Sequence, residues 1–439
     1  MTRRLAVLFS CLLAVASCLP AMAADKRPAG KRAPGSDWPQ WRGEHRDGIS
    51  NDSGLLSDWP EGGPSLVWKA TGLGRGFSSI SIADGRIFTM GDREGGEFVI
   101  ALNPADGKEL WSRRIGEVWE PQGYAGPRCT PTIDGQRLYA LGPHGDLVCL
   151  ETASGKEVWH RNMKADFAGK MHSGWGYSES PLVDGDRLIC TPGGTATAIV
   201  ALDKKTGNEI WRTAIPALGD SGDQGGDGAA YSSIVISHGG GVRQYVQLMG
   251  RGVVGVASKD GKFLWGYNRV ANRTANIPTP LVYGDYVFCS SGYGAGAALL
   301  KLQGVDGGVK ADEVYFLEGK EFQNHHGGMI MLGDYVYCGH GHNAGAPTCL
   351  EWKTGKTVWR HNRGPGTGSA AIAYADGNIY FRFENGIMGL VGATPKEYQE
   401  KGQFKIPGVE QPSWSHPVIV GARLYLREQD ALLCYDVKK

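Results

Sequence analysis

A phrase of hydrophobic and polar positions recurs along the chain from Trp38 onward. It consists of an apolar strand, a turn with Asp and Gly, a second strand, a Gly-rich loop, a third strand, and a turn before an apolar residue and Trp. Repeated units of four short strands predict the blades of a β-propeller. The clearest copies read GKELW, GKEVW, GNEIW, GKFLW and GKTVW, ending at Trp111, Trp159, Trp211, Trp265 and Trp359.

The spacing of these tryptophans sets the number of blades. The first four lie roughly 50 residues apart, whereas the interval from Trp265 to Trp359 is about twice that period. One copy is therefore disguised at residues 279–318, where Tyr315 takes the place of Trp. With degenerate copies ending at Trp68 and Phe404, the count is eight blades, and seven is the alternative.

The two ends of the repeat array predict how the ring closes. The last copy, residues 415–437, has three strands and lacks a fourth. The strand around Trp68 has no three strands before it, so it completes the final blade. Closure of this kind removes the exposed sheet edges of an open array. The repeated tryptophans are interpreted as structural packing between blades, namely Trp68, Trp111, Trp159, Trp211, Trp265 and Trp359.

Composition agrees with an all-β fold and excludes one class of partner. The chain has 67 Gly and 13 Trp, which suits many tight turns joined to strands packed by aromatic rings. Lys and Arg total 46 against 45 for Asp and Glu, a net charge of +1. We therefore expect no binding to nucleic acid, which requires a basic surface.

The first residues of the chain predict export. Arg3 and Arg4 precede an apolar run and the small-residue site 21–23, so residues 1–23 are interpreted as a signal peptide cleaved after Ala23. Residues 15–18 also resemble a lipobox, and in that alternative Cys18 carries a lipid anchor. Residues 24–37 are interpreted as a disordered linker and 38–439 as the propeller. No later run is long enough to span a membrane.

Seven cysteines follow the signal segment, an odd number for an oxidising compartment. Six of them recur at equivalent places in the repeat, as small buried hydrophobes do. We interpret most of them as core residues. Cys338 and Cys349 are the one pair expected to face each other across a hairpin, and hence the one candidate disulfide.

The repeat carries a family resemblance. ALDKKTGNEIW, residues 201–211, resembles the tryptophan-docking repeat of quinoprotein alcohol dehydrogenases and of the propeller proteins named after them. The segment WPQWRG, residues 38–43, with Arg46 and Gly48 after it, resembles the opening of pyrroloquinoline-quinone-like propeller proteins of the planctomycete type. The resemblance covers roughly residues 38–437 and implies an eight-bladed propeller.

The resemblance implies two alternative functions. Dehydrogenases of this superfamily hold pyrroloquinoline quinone and calcium beside a disulfide of adjacent cysteines, and this sequence has no Cys-Cys pair and no C-x-x-C-H haem motif. The closer analogue is the non-enzymatic branch, which includes the propeller lipoprotein that assists outer-membrane β-barrel assembly. We therefore expect no cofactor and a binding or scaffold role. The alternative is a dehydrogenase of alcohols or polyols with quinone and calcium.

The candidate binding residues lie in the long loops. Strand order in a blade places the loops before the first strand and between the second and third strands on one face, around the channel mouth. An envelope protein or a small envelope ligand is the expected partner there. Trp119, Trp175 and Trp414 are interpreted either as its anchors or as blade-edge packing. The candidate residues are Trp119, Arg128, His172, Trp175, Asn324, His325, His326, His340 and His342.

The histidines of the sixth blade form the densest group. NHHGG, residues 324–328, and GHGHN, residues 339–343, flank one hairpin, so we expect their imidazoles at one rim. Zinc or copper held there by histidines 325, 326, 340 and 342 is an alternative to metal-free binding and to a structural role. No metal is expected, because no metal-binding spacing supports the idea.

Other chemistry has weaker support. Asp220, Asp223 and Asp227 supply oxygen atoms for calcium, but their spacing does not match an EF-hand, so a solvated loop is expected. Nucleophile-elbow and phosphate-binding motifs are missing from the sequence. No catalytic residue is assigned.

Overall fold

The computed structural model describes residues 37–120, 123–218 and 224–439. Within these ranges the strands form eight four-stranded antiparallel sheets, and the first strands contact one another in most consecutive pairs of sheets. The prediction of an eight-bladed propeller is confirmed, and the alternative of seven blades is wrong. The predicted signal peptide, with its alternative anchor at Cys18, lies outside the described residues, as do residues 24–36 of the predicted linker.

Each of the first seven blades runs from the central channel outward in chain order. The bounds of the first four blades are β2 (Ser81–Ala83), β3 (Arg86–Arg93), β4 (Gly96–Leu102) and β5 (Glu109–Gly116); β6 (Thr132–Asp134), β7 (Arg137–Leu141), β8 (Asp146–Glu151) and β9 (Glu157–Asn162); β10 (Leu182–Asp184), β11 (Arg187–Cys190), β12 (Ile199–Asp203) and β13 (Glu209–Thr213); and β14 (Val235–Ser237), β15 (Gln244–Met249), β16 (Gly252–Ala257) and β17 (Phe263–Tyr267).

The second half repeats this order. Its bounds are β18 (Leu281–Tyr283), β19 (Tyr286–Ser291), β20 (Gly296–Val305) and β21 (Gly308–Leu317); β22 (Asn324–Leu332), β23 (Tyr335–His340), β24 (Ala346–Glu351) and β25 (Lys356–Arg360); β26 (Ala370–Ala375), β27 (Asn378–Phe383), β28 (Ile387–Gly392) and β29 (Glu400–Lys405); and β30 (Val418–Val420), β31 (Arg423–Glu428), β32 (Ala431–Asp436) and β1 (Ser65–Ala70). A short helix, α1 (Met163–Phe167), and a 3₁₀ turn, Gly239–Gly241, lie between strands.

The eighth blade closes the ring with both ends of the described chain. β1 pairs antiparallel with β32, and Trp68 lies opposite Cys434. The expectation that the Trp68 strand completes the last blade is confirmed. The described residues include no helix with the length and apolar character needed to cross a membrane.

The repeated tryptophans reach from the outer strand of one blade to the next blade. Trp211 stacks on Tyr245 of the following blade, with ring centroids 6.1 Å apart. Tyr315, in the disguised repeat, donates its hydroxyl to the carbonyl of Trp352 on the next blade. Trp265 instead donates to Gln244 Oε1 within its own blade, at 2.5 Å. Four others donate an indole N–H to a carbonyl of the next blade: Trp68 to Pro104, Trp111 to Thr152, Trp159 to Lys204 and Trp359 to Thr394.

The cysteines are core residues in the described chain. All seven are free and buried. In the sixth blade, Cys338 lies opposite Thr348, and Cys349 lies opposite Tyr337. Because neighbouring residues of a strand point to opposite faces of the sheet, the two thiols cannot meet. The predicted disulfide between Cys338 and Cys349 is therefore wrong, because Cys349 lies one residue away from the position opposite Cys338.

Residues 38–52, here called the floor segment, cross the central channel. Trp38 N–H donates to Ile82 O on the first blade (2.7 Å), and Ser50 N–H donates to Tyr374 O on the seventh (2.8 Å). On the eighth blade, Ala422 N–H donates to Asp52 Oδ2 at 2.8 Å. These three blades are neighbours in the closed ring, so these bonds fix the segment to one side of the channel, and its arginine side chains reach the other side.

Two buried arginines secure the floor segment. Arg46 donates to the carbonyls of Ser180 and Ile234, at 2.9 Å each, on the third and fourth blades. Arg42 donates to the carbonyl of Met329 on the sixth blade. Burial lowers the pKa of both guanidinium groups to about 10, so both remain charged at neutral pH. Each arginine therefore ties the floor segment to backbone carbonyls in or just before the first strand of other blades.

Candidate functional site

A cavity of about 310 Å³, here called the funnel cavity, lies in the loop face above the floor segment. Its wall comes from loops that precede the first strand of a blade or join the second and third strands. All eight blades contribute to the wall, and Trp41 of the floor segment contributes from below. The loops therefore converge on one face, as strand order predicts.

Aromatic rings form one side of the funnel cavity. Trp414 lies 4.8 Å from Phe77 and 5.1 Å from Tyr124, measured between ring centroids. Tyr124 in turn lies 5.6 Å from Trp175, so rings from the eighth, first, second and third blades are in contact. Phe77 is buried, whereas Tyr124, Trp175 and Trp414 are half-exposed, and half-exposed flat rings serve as anchors at binding sites.

Imidazole rings form the opposite side. His325 stacks on His326 with a centroid distance of 3.6 Å and lies 4.3 Å from His342. His342 also contacts Tyr293 at 4.3 Å, and His326 contacts Trp414 at 4.6 Å. The imidazole side is therefore continuous with the aromatic side.

Burial keeps these imidazoles neutral. It lowers the pKa of His325 to about 3, with a further contribution from His342. Burial and the neighbouring imidazoles also hold the pKa of His326 well below its ordinary value. The pKa of His416, at the cavity wall, falls to about 3 through burial and the charge of Arg42. At neutral pH each ring thus carries one donor and one acceptor nitrogen.

The wall contains one cation and one carboxylate among its described residues. Arg128 lies over the ring of Phe77, and burial lowers its pKa to about 10. Its guanidinium donates to the carbonyls of Tyr124 and Gly126 at 2.9 Å. Glu384 accepts a hydrogen bond from Ser369 N–H at 3.3 Å. The wall is close to neutral overall.

The structure gathers part of the predicted set. Arg128, Trp175, His325, His326 and His342 line the funnel cavity. Trp414, interpreted from the sequence as an anchor or as packing, lines it as well. The lining also includes residues that the sequence analysis did not select: Trp41, Phe77, Tyr124, Tyr231, Tyr293, Glu384 and His416.

The other candidates lie outside the lining. His340 is buried against Phe322, and its Nδ1 accepts from Gln323 N–H at 3.2 Å. The side chain of Asn324 is buried and donates to Gly339 O at 3.1 Å.

Two further candidates also lie away from the wall. The backbone of half-buried His172 donates to Ala229 O at 2.8 Å. Trp119 contacts His144, with a centroid distance of 4.7 Å. The Trp119 ring thus packs on a neighbouring loop, and the backbone of His172 is bonded to another.

The described residues contain no group of three or more His, Cys, Asp or Glu side chains that could hold a metal ion. In the sixth blade the imidazoles of His325 and His326 stack face to face, an arrangement that does not direct two nitrogens at one ion. In the acidic loop, Asp220 and Asp223 lie outside the described residues, and Asp227 pairs with Arg251.

Sequence comparison identifies related propellers. The family model described as outer membrane protein assembly factor BamB matches residues 95–361. A curated protein of that name from Burkholderia pseudomallei is 28% identical over 151 residues, 34% of this chain and 34% of the relative. Another from Xanthomonas campestris pv. campestris is 28% identical over 114 residues, 25% of each chain. The matches span about a third or less of these relatives.

Solved structures share the fold. BamB from Moraxella catarrhalis has a TM-score of 0.56 at 13% identity, covering 85% of this chain and 99% of that one. A quinohemoprotein alcohol dehydrogenase from Comamonas testosteroni gives 0.61 at 12%, covering 92% and 80%. A europium-containing methanol dehydrogenase gives 0.62 at 12%, covering 89% of each. At such identities the likeness concerns the fold alone.

The wall residues do not fit a quinone and calcium. Calcium takes several oxygen ligands, usually including more than one carboxylate, and Glu384 is the one carboxylate among the described lining residues. Pyrroloquinoline quinone carries several carboxylates, and Arg128 is the single cation that the described part of the chain brings to the lining. The donor set therefore disagrees with this cofactor pair, and the expectation of no cofactor stays a prediction.

Proposed function

Because this chain belongs to the family of the outer membrane protein assembly factor BamB, we propose that it is an exported binding or scaffold protein of the cell envelope. Its loop face holds the partner, which is an envelope protein or a small envelope ligand. The proposal includes an export signal within residues 1–23 and leaves two mature forms, a soluble periplasmic one cut after Ala23 and one cut before Cys18 and lipidated there. Mass determination of the mature N-terminus distinguishes these forms.

One observation carries the proposal: seven of the eight blades deliver aromatic or imidazole side chains to one cavity above a closed floor, and the remaining blade contributes Glu384. Concave sites with a few convergent polar groups are the usual binding sites of rigid folds. Trp175 and Trp414 present rings on opposite flanks of Tyr124, where a partner can bury apolar surface. A binding role of this kind needs no catalytic residue.

The experiment is site-specific photo-crosslinking in intact cells. A photoreactive phenylalanine analogue replaces Tyr124 on the loop face, and in a matched variant it replaces Leu110 on the outer strand of the first blade. Leu110 is 49% exposed, and Tyr124 is half-buried at the cavity wall, so both positions are accessible to a partner. We expect a discrete envelope adduct from position 124 and none from position 110. Equal labelling from both positions, or none from position 124, contradicts the proposal.

Quinone-dependent alcohol or polyol oxidation is the second function, and it is favoured by the fold likeness to two dehydrogenases. The donor set of the wall argues against it. Purified protein incubated with pyrroloquinoline quinone and calcium is assayed with alcohols and an artificial electron acceptor. Dye reduction that depends on both additives would replace the scaffold proposal.

A further inference from the structure

We propose that the funnel cavity binds a compact uncharged sugar, either one pyranose ring or a disaccharide, against the rings of Trp175 and Trp414. The inference rests on the proposed function, since it names the small envelope ligand that the loop face would hold. It is argued from the size, charge, hydrogen-bonding groups and ring surfaces of the wall.

The size of the cavity limits the ligand to one or two rings. Its volume is about 310 Å³, and Trp41 of the floor segment closes it below. Ligand pockets in proteins usually begin near this volume. A chain that passes through the disc is excluded, because the floor segment crosses the channel beneath the cavity.

The charge of the wall favours an uncharged ligand. Arg128 and Glu384 come from the second and seventh blades and carry opposite charges. Each is already held within its own blade, by backbone carbonyls and by a backbone N–H respectively. An ion entering the cavity would lose its hydration and meet one unfavourable group for each favourable one.

The hydrogen-bonding groups match hydroxyls. A neutral imidazole and a phenol each donate and accept, and His326, His342 and Tyr293 bring such groups to the wall. A hydroxyl of the ligand also donates and accepts, so it can pair with either tautomer. A carboxylate only accepts, and an ammonium group only donates.

The ring surfaces complete the match. Trp175 and Trp414 both line the cavity, and each contacts the intervening Tyr124. A pyranose has a flat face of C–H groups that packs on an aromatic ring while its edge hydroxyls remain free for polar partners. Aromatic rings on one side and neutral polar groups on the other therefore point to a sugar.

The test is ligand binding to the purified chain by calorimetry and saturation-transfer NMR. Glucose, N-acetylglucosamine, cellobiose and chitobiose are the probes, and benzoate and choline are the charged comparators. We expect the disaccharides to bind more tightly than the single sugars and the charged comparators not to bind. Trp414→Ala should weaken disaccharide binding at least tenfold. Leu110→Ala, on the outer edge of the disc, should leave it unchanged.

A second variant keeps the test valid if Trp414→Ala fails to fold. His342 is exposed at the rim, so His342→Ala should keep the wild-type melting temperature and still weaken binding several-fold. A chitin pentamer distinguishes two sources of the sugar. If the pentamer binds more tightly than chitobiose, the ligand is the end of a glycan polymer. If it binds equally or more weakly, the ligand is a free sugar.

Failure of this inference is distinct from failure of the proposed function. Absence of sugar binding to the folded wild type, tighter binding of benzoate or choline, or unchanged affinity in folded Trp414→Ala would each overturn the sugar assignment. Crosslinking from position 124 would still support the scaffold role in that event.

Discussion

Trp159 and Trp211 provide a matched pair for measuring what holds neighbouring blades together. Both side chains are 9% exposed, and each packs on a glycine of the next blade. Trp159 Nε1 donates to Lys204 O at 3.1 Å, whereas Trp211 Nε1 has no partner among the described residues. Replacement by Phe removes ring area at both sites but a hydrogen bond at only one.

The expected magnitudes follow from these contacts. A buried tryptophan covers roughly 200 Å², which at ~25 cal/mol per Å² gives about 5 kcal/mol, so either Ala variant should lose ~3–5 kcal/mol. Lys204 O also accepts from the Tyr139 hydroxyl at 3.0 Å and is not orphaned when the indole is lost. Trp159→Phe should therefore lose only ~0.5–1 kcal/mol more than Trp211→Phe.

The assay is urea unfolding followed by far-UV circular dichroism, which does not depend on the fluorescence of the replaced ring. Equal losses in the two Phe variants would show that the indole hydrogen bond adds nothing. Losses below ~1 kcal/mol in both Ala variants would refute the conclusion that these rings fill the space between blades.

Three further predictions concern closure, pH and backbone conformation. Deletion of residues 38–72 should abolish cooperative melting, because it removes the floor segment and the fourth strand of the eighth blade; an unchanged melting temperature would contradict this. Burial raises the pKa of Glu179 from 4.5 to about 8, so its stabilising contribution is complete below pH 4.5 and is lost as the pH rises through 8. Between pH 6.5 and 8.5, where the depressed imidazoles are already neutral, the melting temperature should fall, and it should fall less in Glu179→Gln; parallel curves would refute the assignment. Gly207→Ala should lower the free energy of unfolding in urea by about 1–3 kcal/mol, because φ at this position is +69° and a Cβ would lie 2.8 Å from the Trp159 ring. The control is Gly185→Ala, where φ is +60° and no atom lies near the new Cβ, so this variant should show only the smaller loss that comes from the backbone conformation.

Blade number and ring closure were predictable because the sequence repeats the packing rule of the fold. Each turn places a ring against the next blade, and Tyr315 does so in the repeat that lacks Trp. The register between neighbouring strands, in contrast, could not be predicted from the repeat. A shift of one residue separates Cys338 from Cys349, and no turn signal in that hairpin specifies it.

The candidate site was predicted in part. The rim of the sixth blade brings histidines 325, 326 and 342 together, but His340 ends β23 opposite Asn324 and packs against Phe322. Loop position alone does not determine which way a side chain points. Phe77, Tyr124, Tyr231 and His416 share a signal that was not used, since each shortly precedes the first strand of a blade. Selecting residues by their position in the repeat, and not by residue type, would have identified these four.

The floor segment determines when the propeller can finish folding. Leu55, just beyond it, donates its N–H to Asp376, 321 positions further along the chain, and Asp52 accepts from Ala422, 370 positions away. Contacts of such sequence separation form late and make folding slow. Asp52 and Leu55 are thus synthesised long before these partners, whereas Trp38 meets Ile82 much earlier. Under the proposed export, a chain that crosses the membrane as it is made would do so with its two ends still unjoined, and they would meet on the far side.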